Sequence, residues 1–472
     1  KAVWPSTGSA SSSRVMIAVF YAVGTLADPR LWVGPASHAD QPAWLAGLKS
    51  ERESVLQSIN YTGGVFEQIP WTQSSFMQPQ MHPYDRYFYD PATGDYTVSR
   101  WLADLKARYG GIDALLLWPT YANIGIDDRN QFDLFRTMPG GLDAVTRVTA
   151  ALHAAGVKVL WPYNPWDTGT HREPKDDATT IAELLKQTGG DGFNGDTMNS
   201  IPKAFWDAGL ALDHPLALEP EGGGSDSSLN WHTMGWGYWK YPLVPEVNRF
   251  KFITRGKFMV NVCDRWAKDK TDNLQAAWFN GAGYETWENV WGTWNGITPR
   301  DGEAIRRVHH MSGFFSSILG SAEWEPHTTE VLYEGKVFAS KWPEVGGDRV
   351  LWTLVNRGAF NLSGVQLAIA AVAGAKFFDC YRGTEIKPRS SPDHAEGKPS
   401  SPPPKYAKIM PRSNYTAFDG YNCFAGHGAS DIDVAPVHAD VAECKARCDA
   451  TTSCNCVVTS ARSDCWRRSE CD

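Results

Sequence analysis

Over residues 14–330, short apolar runs alternate with stretches of helical periodicity, and no other feature narrows the possible fold as far. RVMIAVFYAV (14–23) is β-branched and aromatic and reads as a buried strand. IDALLLWPTY (112–121) reads as a second strand, followed by GLDAVTRVTAALHAAG. There Leu142, Val145, Val148 and Leu152 share one helical face, and Gly156 suits the C-terminal cap. VKVLWPYNPWD (157–167), GDGFNGDTM (190–198), PLALEPE (215–221), KFMVNVCD (257–264) and GAGYETWE (281–288) read as further strands with their exits. Between them lie helical patterns at DDATTIAELLKQTGG, with Ile181, Leu184 and Leu185 facing inward, and at IPKAFWDAGLALDH. TPRDGEAIRRVHHMSGFF (298–315) is helical through Ile305, Val308 and Phe315. Such alternation calls for a parallel sheet, and near-continuous apolar strands favour a closed (β/α)₈ TIM barrel over an open doubly wound sheet. No G-x-G-x-x-G follows the first strand, which argues against a dinucleotide fold. Residues 24–111, with the Pro- and aromatic-rich PQMHPYDRYFYDP (79–91), read as an elaborated first βα connection.

The division of the chain follows from where this pattern stops. Residues 1–327 are read as the barrel, and 328–386 as a small antiparallel β-domain of short strands split by Gly, Asn and Pro turns. Residues 387–411 are a Pro/Ser-rich linker, and 412–472 a disulfide-rich α+β module. Seven of the nine cysteines (Cys423, Cys444, Cys448, Cys454, Cys456, Cys465 and Cys471) fall in that last module, a density typical of extracellular proteins. Sequons at Asn60, Asn361 and Asn414 agree with secretion or display at the cell surface or in the matrix. The chain opens on Lys1 rather than Met, and is expected to be processed or partial. A net charge of −8, with no block of like charge, makes nucleic acid an unsuitable partner. No apolar run reaches the length of a membrane span.

The chemistry is expected where strands hand over to loops, since a parallel barrel gathers those junctions on its C-terminal face. One such junction after another ends in a carboxylate: Asp167 beside Trp166, then Asp196, then Glu219 or Glu221, then Asp264, then Glu285 and Glu288. Aromatic residues accompany them, among them Trp118, Tyr121, Tyr163, Trp231, Trp236, Trp239, Trp266, Trp287, Trp291 and Trp294. Indole faces stack on sugar rings, and glycoside hydrolysis needs two carboxyl groups in different protonation states flanking one bond. Gly192 and Gly195 suit a tightly packed fourth strand that turns sharply to present Asp196 inward. Asp196 can equally cap the next helix, and Asp264 can pair with the adjacent Arg265. Glu219 is preferred over Glu221 because it directly follows the apolar PLAL run. No metal site or cofactor is expected. Asp127, Asp128, Asn130 and Asp133 lack EF-hand spacing, His309 and His310 are adjacent on a helix, and neither G-x-S-x-G nor H-E-x-x-H occurs.

With these residues in place, DGFNGD followed by a carboxylate after the next strand resembles the (β/α)₈ glycoside hydrolases. Resemblance to the α-amylase superfamily implies Asp196 as nucleophile and Glu219 as general acid/base. Resemblance to α-galactosidase and α-glucosidase barrels implies Asp196 with Asp264 instead. Two departures stand out: Asn194 occupies the place of the Arg common two residues before the amylase nucleophile, and YETWEN replaces the N-H-D triplet of the seventh strand. Substrate contacts are expected from Trp118, Tyr163, Trp166, Asp167, Glu221, Glu285, Trp287 and Glu288. CFAGHGASDID (423–433), AECKARCDATTSC (442–454) and a late CW (465–466) resemble a PAN/apple module. That resemblance implies that Cys444 and Cys448 tie its helix to the central sheet and that Cys423 joins Cys471. It also implies a protein or glycan ligand for the module. The expectation is a secreted glycosidase acting on a poly- or oligosaccharide. The alternative is an inactive, lectin-like or structural component of an extracellular assembly.

Overall fold

A computed structural model describes residues 30–388, apart from 122, 168–169, 264–268, 291–295, 333, 360 and 363. It also describes 424–469, apart from 426–427, 434–436, 452–453, 455 and 460–463. Eight strands form one all-parallel sheet: β1 Met77–Met81, β2 Ala114–Leu117, β3 Lys158–Tyr163, β4 Gly192–Gly195, β5 Ala217–Pro220, β6 Met234–Gly237, β7 Met259–Val262 and β8 Gly283–Glu288. β1 lies between β2 and β8, with β2, β3, β4 and β5 following in order on one side and β8, β7 and β6 on the other. The ends of the path, β5 and β6, meet where a side chain on Gly235 would touch the Gly223 Cα at 2.6 Å and the Pro220 carbonyl at 3.3 Å. The sheet is therefore a barrel of the (β/α)₈ kind.

Helices precede, connect and follow the strands: α1 Gln41–Ser58, α2 Val98–Tyr109, α3 Gln131–Arg136, α4 Gly141–Ala154, α5 Asp177–Thr188, α6 Lys203–Ala211, α7 Thr271–Phe279 and α8 Pro299–Phe314. Their inner faces match the periodicity. Val145, Val148 and Leu152 of α4 and Ile181, Leu184 and Leu185 of α5 are buried. After α4, Gly156 turns left-handed at φ 81°, as a glycine past a helix end should.

Two strands depart from expectation. Met77–Met81 lies in the segment read as a loop connection, and Met234–Gly237 in one read only as tryptophan-rich. Neither sequence, MQPQM or MGWG, carries a β-branched residue or an apolar run, so propensity hides them. The first expected strand, 14–23, lies outside the described residues. Counting from β1, Asp264 follows the seventh strand rather than the sixth, and Glu285 and Glu288 lie on the eighth.

Downstream, β9 Val337–Pro343 and β10 Val350–Asn356 form an antiparallel hairpin in the same compact unit as the barrel. Trp342 of β9 is fully buried and stacks on Trp324 at 4.5 Å. The second unit is built around strand Asp464–Ser469, which pairs antiparallel with Gly428–Asp431, Val437–His438 and Cys456–Thr459. Its helix, α9 Val441–Asp449, opens with a capping box between Asp440 and Glu443. Cys444 bonds to Cys465 of the central strand. Cys448 departs from expectation: it bonds to Cys454, ahead of strand Cys456–Thr459, and closes a local loop rather than joining helix to sheet. Cys423 and Cys471, like the side chain of Cys456, lie outside the described residues. A PAN/apple identity for this unit stays a resemblance.

Candidate active site

The inside of a (β/α)₈ barrel is ordinarily filled by branched apolar side chains. Here it is polar. Registered neighbours in a parallel sheet point to the same face, so the pairing of Gln78 with Glu285 and of Asn194 with Glu219 places four polar side chains inward. Glu219, completely buried, accepts hydrogen bonds from Gln78 Nε2 (2.8 Å), Asn194 Nδ2 (3.0 Å) and Asn261 Nδ2 (2.8 Å). Glu285 is 1% exposed and accepts a bond from Trp287 Nε1 at 3.1 Å, with Gln78 also acting on its carboxyl. Its Oε2 has no partner among the described residues.

Burial pushes both carboxyls upward. Glu285 rises well above the usual range through desolvation and through the Glu219 charge, while the three amide donors oppose the rise at Glu219. A carboxyl held by three amide donors is a better place for a negative charge than one whose Oε2 has no hydrogen-bond partner among the described residues. Of the two, Glu219 is therefore the better seat for a negative charge and Glu285 the better seat for a proton.

The next inward positions toward the C-terminal end are Gln80, Asp196, Glu221 and Trp287, each two residues beyond one of the polar four. Asp196 leaves β4 with its Oδ2 accepting from Asn164 Nδ2 (2.9 Å) and Trp166 Nε1 (2.8 Å). Both donors bind the same oxygen, which leaves Oδ1 outside these bonds. Gly192 and Gly195 allow this ending. A Cβ at Gly192 would lie 2.1 Å from the Ala217 carbonyl oxygen, and one at Gly195 would meet Met198 Sδ at 2.9 Å. The turn is completed by Thr197 at φ 59°, a left-handed conformation that a β-branched residue adopts at a cost. Glu221 holds that turn by accepting the Thr197 N–H at 2.7 Å on Oε2. Arg30 Nη1 donates to the Glu221 carbonyl at 2.9 Å.

An aromatic ladder runs to the surface beside Asp196. Trp118 contacts Tyr121 at 4.8 Å, and Tyr121 lies parallel to Trp166 at 6.4 Å. Trp166 is 43% exposed, whereas Asp196 is 5%, Trp287 4% and Trp118 1% exposed. The ladder thus leads from solvent to an enclosed carboxylate.

The remaining expected residues divide plainly. Glu219, expected to lead β5 into the cleft, lies deeper in the barrel, because residues 219 and 221 share one face and Glu221 is the one at the rim. Asp167 accepts the N–H of Gln131, the first residue of α3, at 2.7 Å and the Thr170 hydroxyl at 2.8 Å, so it anchors loops. Tyr163 points outward and donates to Asp177 at 2.8 Å. Glu288 also leaves the barrel interior, taking Arg108 Nη2 at 2.8 Å and the Tyr109 hydroxyl at 2.7 Å. Asp264, Trp266, Trp291 and Trp294 lie outside the described residues. The amide set of Gln78, Gln80, Asn164, Asn194 and Asn261 was not anticipated. The only signal for it in the sequence is polar residues at every second place in strands that are otherwise buried.

Asp133, His171 and Glu173 form a cluster with metal-ligand chemistry. Arg136 already takes both oxygens of Glu173, at 2.7 and 2.9 Å, so the cluster is balanced internally.

No known protein-family profile matches the chain. No curated protein matches it either. Among solved structures it is similar to a noncanonic maltogenic α-amylase, AmyB, from Thermotoga neapolitana, at 12% identity and a TM-score of 0.39 over 61% of this chain and 86% of that one. It is also similar to α-galactosidase I from Mortierella vinacea, at 11% identity and a TM-score of 0.40 over 60% of this chain and 82% of that one. A third is a maltogenic amylase from S. marinus, at 9% identity and a TM-score of 0.44 over 67% of this chain and 65% of that one.

Proposed function

We propose that the barrel is a retaining glycoside hydrolase with Asp196 as nucleophile and Glu221 as general acid/base. One observation carries this reading: two inward carboxyl groups stand side by side at the ends of β4 and β5. The last registered pair is Gly195 with Pro220, so Asp196 and Glu221 are the next facing residues. Neighbouring strands about 4.8 Å apart bring such groups near the roughly 5–5.5 Å that a retaining pair needs. Glu219, with all its donors in place and no exposed surface, suits a supporting charge better than a group that must reach a leaving oxygen.

In the first step Asp196 Oδ1 attacks the anomeric carbon while the glycosidic oxygen departs with the Glu221 proton. The bonds from Asn164 and Trp166 hold Oδ2 and so aim Oδ1. Glu221, now ionised, takes a proton from water as that water cleaves the glycosyl ester, and both carboxyls return to their starting states. Trp166 and Tyr121 supply apolar faces for a sugar ring at the mouth. Secretion, the substrate's identity as poly- or oligosaccharide, and a glycan or protein ligand for the disulfide-stapled unit belong to the same proposal. The exposed sequons at Asn60 and Asn361 and the two disulfides support the extracellular part.

Hydrolysis of a panel of α- and β-linked aryl glycosides and oligosaccharides tests it. Asp196→Asn and Glu221→Gln should each lower kcat by at least about 10³-fold against the responsive sugar. The enclosure of Asp196 favours a second reading, a binding or structural barrel. A wild-type chain that is folded yet binds sugars without cleaving any would establish that one instead.

A further inference from the structure

We propose that Gln80 determines which sugar the cleft accepts. Its side-chain amide takes two neighbouring hydroxyls of the ring engaged by Asp196 and Glu221, so a sugar with both hydroxyls free is bound and its deoxy counterparts are rejected. The inference rests on the glycosidase reading and names the substrate class of the same site. The place of Gln80 follows from the barrel. Gln78 Nε2 donates to Glu219 at 2.8 Å, although β1 and β5 are four strands apart in either direction. That bond crosses the barrel axis and sets the two residues at one height. Gln80 and Glu221 each lie two residues further along, about 6.6 Å at roughly 3.3 Å per residue. Gln80 therefore faces the Asp196 and Glu221 pair from the opposite wall.

Gln80 is 1% exposed, and neither its Nε2 nor its Oε1 has a partner among the described residues. Buried polar atoms are nearly always bonded. A buried carboxamide open at both ends costs free energy unless a group from outside the chain completes it. Two neighbours are open in the same way. Asn164 holds Asp196 through Nδ2 and has no partner for Oδ1 among the described residues. Trp118 has none for Nε1, and its backbone N–H donates to the Met81 carbonyl at 2.9 Å, which seats it beside the end of β1. The open atoms thus include donors, Gln80 Nε2 and Trp118 Nε1, and acceptors, Gln80 Oε1 and Asn164 Oδ1. An anion would leave the acceptors unmet and a cation the donors. A hydroxyl both donates and accepts, so a ring of hydroxyls meets the mixed set. The two ends of one carboxamide suit hydroxyls on adjacent ring carbons.

Calorimetric titration tests this with aryl α- and β-glucosides and galactosides and their singly deoxygenated counterparts. The full chain carries Asp196→Asn, so that turnover does not interfere. Deoxygenation at either of two adjacent ring positions should weaken binding by about tenfold or more. Adding Gln80→Met should weaken the parent sugar by a similar factor and leave those two deoxy sugars unchanged, because the contact they lack is already gone. Gln80→Met, which puts an apolar chain of similar length in place of the open amide, should melt at the wild-type temperature or above. If it does not fold, the deoxy profile with Gln80 intact decides, and a profile without a sensitive adjacent pair overturns the assignment. Equal loss across parent and deoxy sugars, with a lowered melting temperature, would make Gln80 a structural residue bonded to enclosed water only. That result would overturn the assignment while leaving a carbohydrate-binding barrel. The expected profile without hydrolysis by the wild type would keep the assignment and overturn the glycosidase reading. No binding of any glycoside would overturn both.

Discussion

At the scale of single residues, the contrast between Glu219 and Glu285 is the feature with most consequence. One carboxyl is surrounded by three amide donors, the other has an indole donor and an Oε2 without a hydrogen-bond partner among the described residues, and both are buried. Because the Glu285 carboxyl is raised in the folded chain, the native state binds a proton there that the unfolded state releases above about pH 4.5. Stability is then fullest below that unfolded value and falls as pH rises, by about 1.4 kcal/mol per unit for one proton, until the folded group ionises. Melting temperatures measured from pH 5 to 8 should therefore decline in the wild type and decline less in Glu285→Gln. A parallel decline in both would show the proton to be elsewhere. Trp166 offers a second residue-scale test. Trp166→Phe keeps an aromatic face and removes the Nε1 bond to Asp196. A hydrogen bond to a charged group is worth about 1.5–3 kcal/mol, so kcat should fall by roughly tenfold to a hundredfold with a smaller change in KM.

At the scale of elements, the glycines of β4 show how packing shapes the site. The Ala217 carbonyl lies where a Gly192 side chain would go, and it belongs to the backbone of β5, which cannot step aside. Gly192→Ala should therefore destabilise the barrel by about 1–3 kcal/mol or more, read as a lower urea midpoint, and should disturb Asp196 through the same strand. Sequence pattern was most informative for elements of this kind. The helices α4, α5 and α8 were legible because their apolar residues recur at helical spacing. The expected strands β2, β3, β4 and β5 were legible from apolar or glycine-bounded runs. β1 and β6 were not, since MQPQM and MGWG owe their place to neighbouring strands and to their inward polar or small residues. Asp196 was legible as a strand-end carboxylate in a glycine turn. The choice between Glu219 and Glu221 was not, because both share one face and only the height of the barrel rim separates them.

At the scale of the whole molecule, the chain divides into two compact units with different means of support. Among the described residues, the barrel unit has an extensive apolar core, and the tail unit has a small one around Ala439, Cys444 and Cys465. Small domains of that kind depend on crosslinks. Replacing Cys444 and Cys465 together by serine should cost the tail unit about 2–5 kcal/mol. In calorimetry the low-temperature transition should move or vanish while the barrel transition and any hydrolytic activity remain. A matched loss of both transitions would contradict that independence. Periodicity alone determined an alternating α/β chain with a parallel sheet and favoured a (β/α)₈ barrel, because alternation of strand and helix is a local property; the closure through β1 and β6 was decided by tertiary structure. Cysteine density alone determined a stapled tail. Which strand comes first, which carboxyl reaches the rim, which holds the proton and which cysteine Cys448 meets were decided only by tertiary structure. Each depends on register and burial, which arise when distant segments pack and leave no periodic trace in the order of residues.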